Sequence, residues 1–204
     1  MIGRVSRAVK RHLAWIGYIF SGKLSRAMRE TRGTSAPVTW GVFWRQKILG
    51  INGLATWPVS SQSVVGSPEK IKIGIGSAPG LGFGCYIQGR NGIEIGDYVL
   101  IAPKVSIISA NHDPEDVSKH LDAPPIKIGS YSWLGLGATI LPGVQIGPHT
   151  VVAAGAVVTK SFPDGYCILA GVPARVIREL DKAKVKEHHN KFPYCGYEKV
   201  EDGR

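Results

Sequence analysis

From Ile71 onward the chain repeats with a period of six. Every sixth residue reads Ile71, Ser77, Phe83, Gly89, Ile95, Ile101 and Ile107, and the residues four places after the first six are Ile75, Leu81, Ile87, Ile93, Val99 and Val105. The register breaks after residue 112, resumes at Ile128 and runs on through Leu134, Ile140, Ile146, Val152 and Val158. Smaller residues now stand four places on, at Ser132, Ala138, Val144, Thr150 and Ala156. A six-residue unit supplies a short strand and a corner, and three units close one triangular coil. With residues 113–127 set aside as an insertion, the predicted stacks are Ile71, Gly89, Ile107, Ile140 and Val158; Ser77, Ile95, Ile128 and Ile146; and Phe83, Ile101, Leu134 and Val152. At ~4.8 Å per coil they make a prism on the order of 20 Å tall. Gly96, Gly129, Gly135 and Gly147 follow directly after inward positions, which predicts corners with unusual backbone angles there. A sandwich of short strands would not hold a six-residue register over so many units. The predicted fold class is therefore all-β, a solenoid.

A different period governs the start. Val5, Val9, Leu13, Ile16, Phe20, Leu24 and Ala27 are spaced by three and four, which predicts one face of an amphipathic helix. Its longest apolar stretch, Leu13 to Phe20, is too short to span a bilayer. No small-x-small cleavage site follows it, so a cytoplasmic location is expected. Charge changes the picture here. The chain carries +10 overall, yet residues 1–50 hold ten Lys/Arg and one acid, while residues 51–204 hold fifteen basic and fourteen acidic residues. A nearly neutral body argues against a nucleic-acid partner. The basic helix reads first as a segment packed on the domain or a neighbouring subunit, and second as a contact through residues 1–32 with the anionic inner membrane face. Glycine (26) and proline (13) are abundant enough for many turns, and 44% hydrophobic residues excludes disorder. Cys85, Cys167 and Cys195 form no disulfide framework or metal pair. Three parts are expected: a basic extension over 1–70, the repeat domain over 71–172, and a C-terminal helix and tail over 173–204.

The stretches IEIGDYVLIAPKVSIISANHD and IKIGSYSWLGLGATILPGVQIGPHTVVAAGAVVTKSFPDGYCILAGVPARVIREL resemble the hexapeptide-repeat acyltransferases, and within them the galactoside, maltose and exopolysaccharide O-acetyltransferases. The likeness covers roughly residues 71–178. It implies a left-handed parallel β-helix, an exception to the usual crossover hand, a homotrimer, and direct acetyl transfer from acetyl-CoA with no metal. The expected acceptor is a hydroxyl of a saccharide, such as a glycan or exopolysaccharide precursor.

The resemblance places the catalytic base at His112, seventeen residues after the isoleucine of the IGD unit, Ile95. The residue suits the chemistry: an alcohol needs a base near neutral pH, and free imidazole has a pKa of about 6.5. His112 also closes the last unit before the insertion, where a loop leaves the prism. No nucleophile-elbow serine appears. Asn111, Asp113 and Glu115 flank the base and are candidates for acceptor contact, the two acids reading equally as orienters of His112 or as solvated loop charges. By resemblance the oxyanion donor is the backbone N–H near Leu136; Trp133 lines the acetyl-CoA groove, Ala154 lets the pantetheine arm pass, and Thr159, Lys160, Arg175 and Arg178 contact the cofactor. Taken alone, Lys160, Arg175 and Arg178 read as solvated charges. One departure matters: the galactoside enzymes carry a sugar-contacting asparagine thirteen residues before the IGD isoleucine, and Gly82 stands there. The acceptor contacts therefore do not transfer, and Tyr86, Gln88 and Asn91 are nearby alternatives. Three other readings stay open: acetylation of an amino sugar or antibiotic, a γ-carbonic-anhydrase-like zinc enzyme using His112, His120 and His149, and a non-catalytic scaffold.

Overall fold

The computed structural model describes residues 14–201. Short strands wind into a three-sided coil whose faces are three sheets. Face A stacks β1 (Val64–Gly66), β3 (Tyr86–Gln88), β6 (Ser106–Ile108), β9 (Thr139–Ile140) and β12 (Val157–Val158). Face B stacks β2 (Ile71–Ile73), β4 (Ile93–Ile95), β7 (Ile126–Ile128) and β10 (Gln145–Ile146). Face C stacks β5 (Leu100–Ile101), β8 (Trp133–Leu134), β11 (Val151–Val152), β13 (Cys167–Gly171) and β14 (Ala174–Glu179). Every pairing among these is parallel except β13 with β14.

The core is three ladders of apolar side chains. Val65, Ile87, Ile107, Ile140 and Val158 lie in register on face A, Ile73, Ile95, Ile128 and Ile146 on face B, and Ile101, Leu134, Val152 and Leu169 on face C. Removing each such side chain from water contributes roughly 1.5–3 kcal/mol. From Ile95 onward these are the expected stacks. Before it they differ. Ile71 stacks on Ile93 rather than Gly89, Ile73 takes the place expected of Ser77, and face C has no strand at Phe83, which is half exposed. The cause is coil length: Val65 to Ile87 and Ile73 to Ile95 each span twenty-two residues, four more than the repeat, and the surplus divides, two residues at each A–B corner (Val65 to Ile73, Ile87 to Ile95) and two between Gly74 and Cys85. Buried Ser77 there bridges two coils, its Oγ donating to Gly96 O at 2.7 Å and accepting from Val99 N–H at 2.9 Å. Across the long loop, partners such as Ile107 and Ile140 are thirty-three residues apart, and the strand restarts at Ile126.

The corner glycines are required for a different reason than the repeat suggested. Left-handed backbone falls instead at Tyr98, Lys104, Tyr131, Gly137, Gly143, His149 and Gly155, six apart on either side of the loop. Gly96, Gly129, Gly135 and Gly147 face the next coil: a Cβ on Gly147 would lie 2.2 Å from Pro163 O and one on Gly129 2.4 Å from Pro148 N. Close approach, not dihedral freedom, excludes a side chain.

Both extensions depart from expectation. Val5, Val9 and Leu13 lie outside the described residues; helical residues 14–20 (α1) are followed by a break at Gly22 (φ 73°) and a second helix, Lys23–Glu30 (α2). Leu24 and Ala27 are buried, but Phe20 is 86% exposed and Trp15 and Tyr18 turn inward in place of Ile16. They meet a C-terminal hairpin, β15 (Tyr194–Cys195) and β16 (Glu198–Lys199): Tyr18 Oη donates to Tyr197 O at 2.6 Å, Tyr194 Oη to Glu30 at 2.8 Å, and Tyr197 Oη to buried Gln46 at 2.7 Å. Over 173–201 there is no helix; Arg175-Val-Ile-Arg178, with two β-branched residues, pairs with β13 instead. Among the described residues no helix is long and apolar enough to cross a membrane.

Candidate active site

The corner between faces A and B opens after β6 into residues 109–125. Its base is pinned by side chains from the preceding coil. Gln88 Oε1 accepts from Ala110 N–H at 3.0 Å while its Nε2 donates to Ala110 O at 3.2 Å, and Asn91 Nδ2 donates to Leu121 O at 3.0 Å. Both residues therefore hold the loop. The two strands of the loop pair antiparallel, Leu121 N–H to Asn111 O at 2.9 Å and Asp113 N–H to Lys119 O at 3.1 Å, bringing His120 against His112 with ring centroids 4.1 Å apart. The turn is closed by Asp116, which accepts from Ser118 Oγ at 2.6 Å and pairs with Lys119 at 2.9 Å. Those bonds, Ser118 first, hold its carboxyl below the usual range.

His112 is exposed, and its Nδ1 lies 2.7 Å from Val117 O. A carbonyl only accepts, so Nδ1 carries the proton and the neutral ring leaves the Nε2 lone pair outward. The orienting group is thus a backbone carbonyl, not Asp113 or Glu115; Asp113 Oδ1 is engaged by Glu115 N–H at 2.8 Å. Half-buried His120 is held below the ordinary imidazole value by desolvation, then by the charges of Arg90 and His112.

The other candidates divide between faces. Trp133, half exposed, stands on the outer side of face C in a row with Leu100, Val151 and Ile168. Leu136 lies on the next corner, between faces C and A, with exposed Ala154 one coil on, tied by Gly155 N–H to Leu136 O at 2.8 Å. Gly135 and Gly137 donate to Val152 O and Pro103 O, but Leu136 N–H meets no acceptor among the described residues. Thr159 and Lys160 share the A–B corner with His112, two strand spacings or ~10 Å further along. Lys160 Nζ lies 5.6 Å from the Phe162 ring. Exposed Arg175 and Arg178 belong to β14, not to a helix start. One chain therefore groups Asn111, His112, Asp113 and Glu115 with His120, and separately Trp133, Leu136 and Ala154, with the width of face A between the groups.

His149 does not join His112 and His120. It is buried at the B–C corner, stacked between Tyr131 (5.1 Å) and Tyr166 (5.0 Å), with Glu187 at 3.5 Å, and among the described residues no three His, Cys, Asp or Glu side chains cluster. Tyr98 stacks on Tyr131 at 5.5 Å to complete a four-ring column. The signal for that column was the interval Tyr131 to His149, one full coil of eighteen.

A family model described as "Bacterial transferase hexapeptide (six repeats)" matches residues 125–160. The galactoside O-acetyltransferase of Escherichia coli (strain K12) is 42% identical over 92 residues, covering 44% of this chain and 45% of that protein. A solved galactoside acetyltransferase in complex with coenzyme A is 30% identical over 88% of this chain and 86% of its own, with a TM-score of 0.56. A maltose O-acetyltransferase from Clostridium difficile 630 is 26% identical, covers 86% and 89%, and has a TM-score of 0.53. The chain spans about half the length of the curated relatives it matches. It belongs to the hexapeptide-repeat acyltransferases, with their left-handed β-helix.

Proposed function

We propose that this chain is an acetyl-CoA-dependent O-acetyltransferase acting on a saccharide hydroxyl, such as that of a glycan or exopolysaccharide precursor, with His112 as general base. The observation that carries the reading is the 2.7 Å bond from His112 Nδ1–H to Val117 O, which fixes the tautomer and leaves Nε2 basic at the mouth of the loop. Acetyl-CoA supplies an activated acetyl group as a thioester. His112 Nε2 takes the acceptor proton as the hydroxyl oxygen bonds to the acetyl carbon; the C–S bond breaks, and the imidazolium returns its proton to the departing sulfur. The open Leu136 N–H suits the oxyanion. Trp133 and Ala154 offer a surface for the pantetheine arm, with Thr159, Lys160, Arg175 and Arg178 for its phosphates. Since His112 and Leu136 occupy different corners of one chain, a homotrimer that sets the C–A corner of one protomer against the A–B corner of the next completes the site.

Free-thiol release from acetyl-CoA in the presence of saccharides tests this. His112→Ala should slow it by ~10²–10⁴-fold with an unchanged circular-dichroism spectrum. An undiminished rate removes His112 as the base, and acetylation of amines alone moves the acceptor class. We also propose that the basic N-terminal segment touches anionic membrane, because Ile16 and Phe20 face solvent. Removing residues 1–32 would strip Leu24 and Ala27 from their core, so the suitable variant is Ile16→Ser with Phe20→Ser. It should float less with anionic vesicles than the parent; equal flotation defeats the idea.

A further inference from the structure

Beside the catalytic loop, on the outer side of face B, runs a groove of about 340 Å³ walled by Lys70, Lys72 and Arg90 on one side and the returning loop residues Ala123 and Pro125 on the other. Its charges are unbalanced. Glu94 is the one acid in its lining, and Lys72 and Lys127 both pair with it, at 3.3 and 3.6 Å. Lys70 Nζ is held against Arg90 O at 2.9 Å, and the Arg90 guanidinium has no carboxylate partner among the described residues. Three cations thus line the groove against one carboxylate, which Lys127 outside the lining also engages.

The groove is joined to the proposed base by short steps. Asn91, in its lining, holds Leu121 O; the neighbouring His120 feels the Arg90 charge and packs against His112, ring centroids 4.1 Å apart. It is also remote from the two arginines assigned above to the donor. The groove lies on β2 and β4, among the first coils, whereas Arg175 and Arg178 lie on β14, four strand spacings or ~19 Å along face C from β5, which shares a coil with β4. The groove cations and these arginines flank His112 from opposite ends of the prism.

Resting on the reaction proposed above, we infer that the acceptor is a phosphorylated saccharide, a glycosyl phosphate or diphosphate, whose anionic group is held by Lys70, Lys72 and Arg90 while a sugar hydroxyl reaches His112. Phosphate oxygens accept charge-assisted bonds from the guanidinium and the two ammonium groups, and the groove's open side admits whatever the phosphate is attached to.

Inorganic pyrophosphate is the probe, titrated calorimetrically into the full chain at low salt. The parent and His112→Ala should bind it, and the Lys72→Gln/Arg90→Gln variant should bind about tenfold or more weakly at an unchanged melting temperature. With acetyl-CoA, UDP-glucose, a polyprenyl diphosphate sugar in detergent, and glucose as acceptors, the variant should raise KM for the phosphorylated acceptors alone, leaving KM for acetyl-CoA unchanged. Which of the two phosphorylated arms reacts separates a nucleotide from a lipid source. Equal pyrophosphate binding by parent and variant, displacement of pyrophosphate by CoA, or glucose serving as well as either phosphorylated acceptor overturns the groove's role. Absence of thiol release with every saccharide instead overturns the reaction, and the pyrophosphate titration still decides the groove.

Discussion

His120 carries the clearest pH dependence at the scale of single residues. Desolvation, Arg90 and His112 all disfavour its charged form in the folded loop, so the unfolded chain binds the proton more readily. The folded loop gains relative stability where both forms are neutral, above about pH 6.5, and loses it as pH falls through the lowered folded value. A ring-proton titration by NMR should place the His120 midpoint below that of free histidine, and His120→Gln should flatten the acid loss of amide protection over residues 112–120. A midpoint at or above the free value would contradict the packing described. The family resemblance singles out His112, which also ends a run of repeats. Its partners His120 and Val117 were not legible, because they reach it only through pairing across the loop, which no period marks.

Within each coil, the turn-forming glycines act as spacers between neighbouring backbones. Gly147→Ala sets a methyl 2.2 Å from Pro163 O, a backbone atom with nowhere to move. It should cost ~1–3 kcal/mol or more, read as a lower urea midpoint. Gly137→Ala is a useful contrast: no atom lies within 4 Å of its added Cβ, and only its φ of 66° opposes the change. The period of six made the later coils legible and misassigned the first, since four surplus residues per early coil, split between the A–B corner and the stretch from Gly74 to Cys85, shift the register without leaving a break in hydrophobicity. The C-terminal segment misled for a related reason. Its residues 175–179 alternate too little to declare a strand, and pairing with β13 decided their form.

For the molecule as a whole, the proposed site is divided between corners that one chain holds apart. Light scattering coupled to size exclusion should return about three times the 21.9 kDa chain mass, and a charge introduced in the outer face-C row, as in Trp133→Glu, should lower both that mass and the rate of thiol release. A monomeric, active parent would end the divided-site reading. One consequence of β14 extends beyond catalysis. A parallel solenoid is an open stack, and each terminal coil offers unpaired N–H and C=O groups to any strand that fits. Here the last pairing on face C runs backward and exposes Arg175, Arg178 and Glu179, while at the other end face C begins a coil later than faces A and B. Two copies set end to end find no parallel partner on that face, so the fold resists growing into a fibre by the same hydrogen bonds that build it.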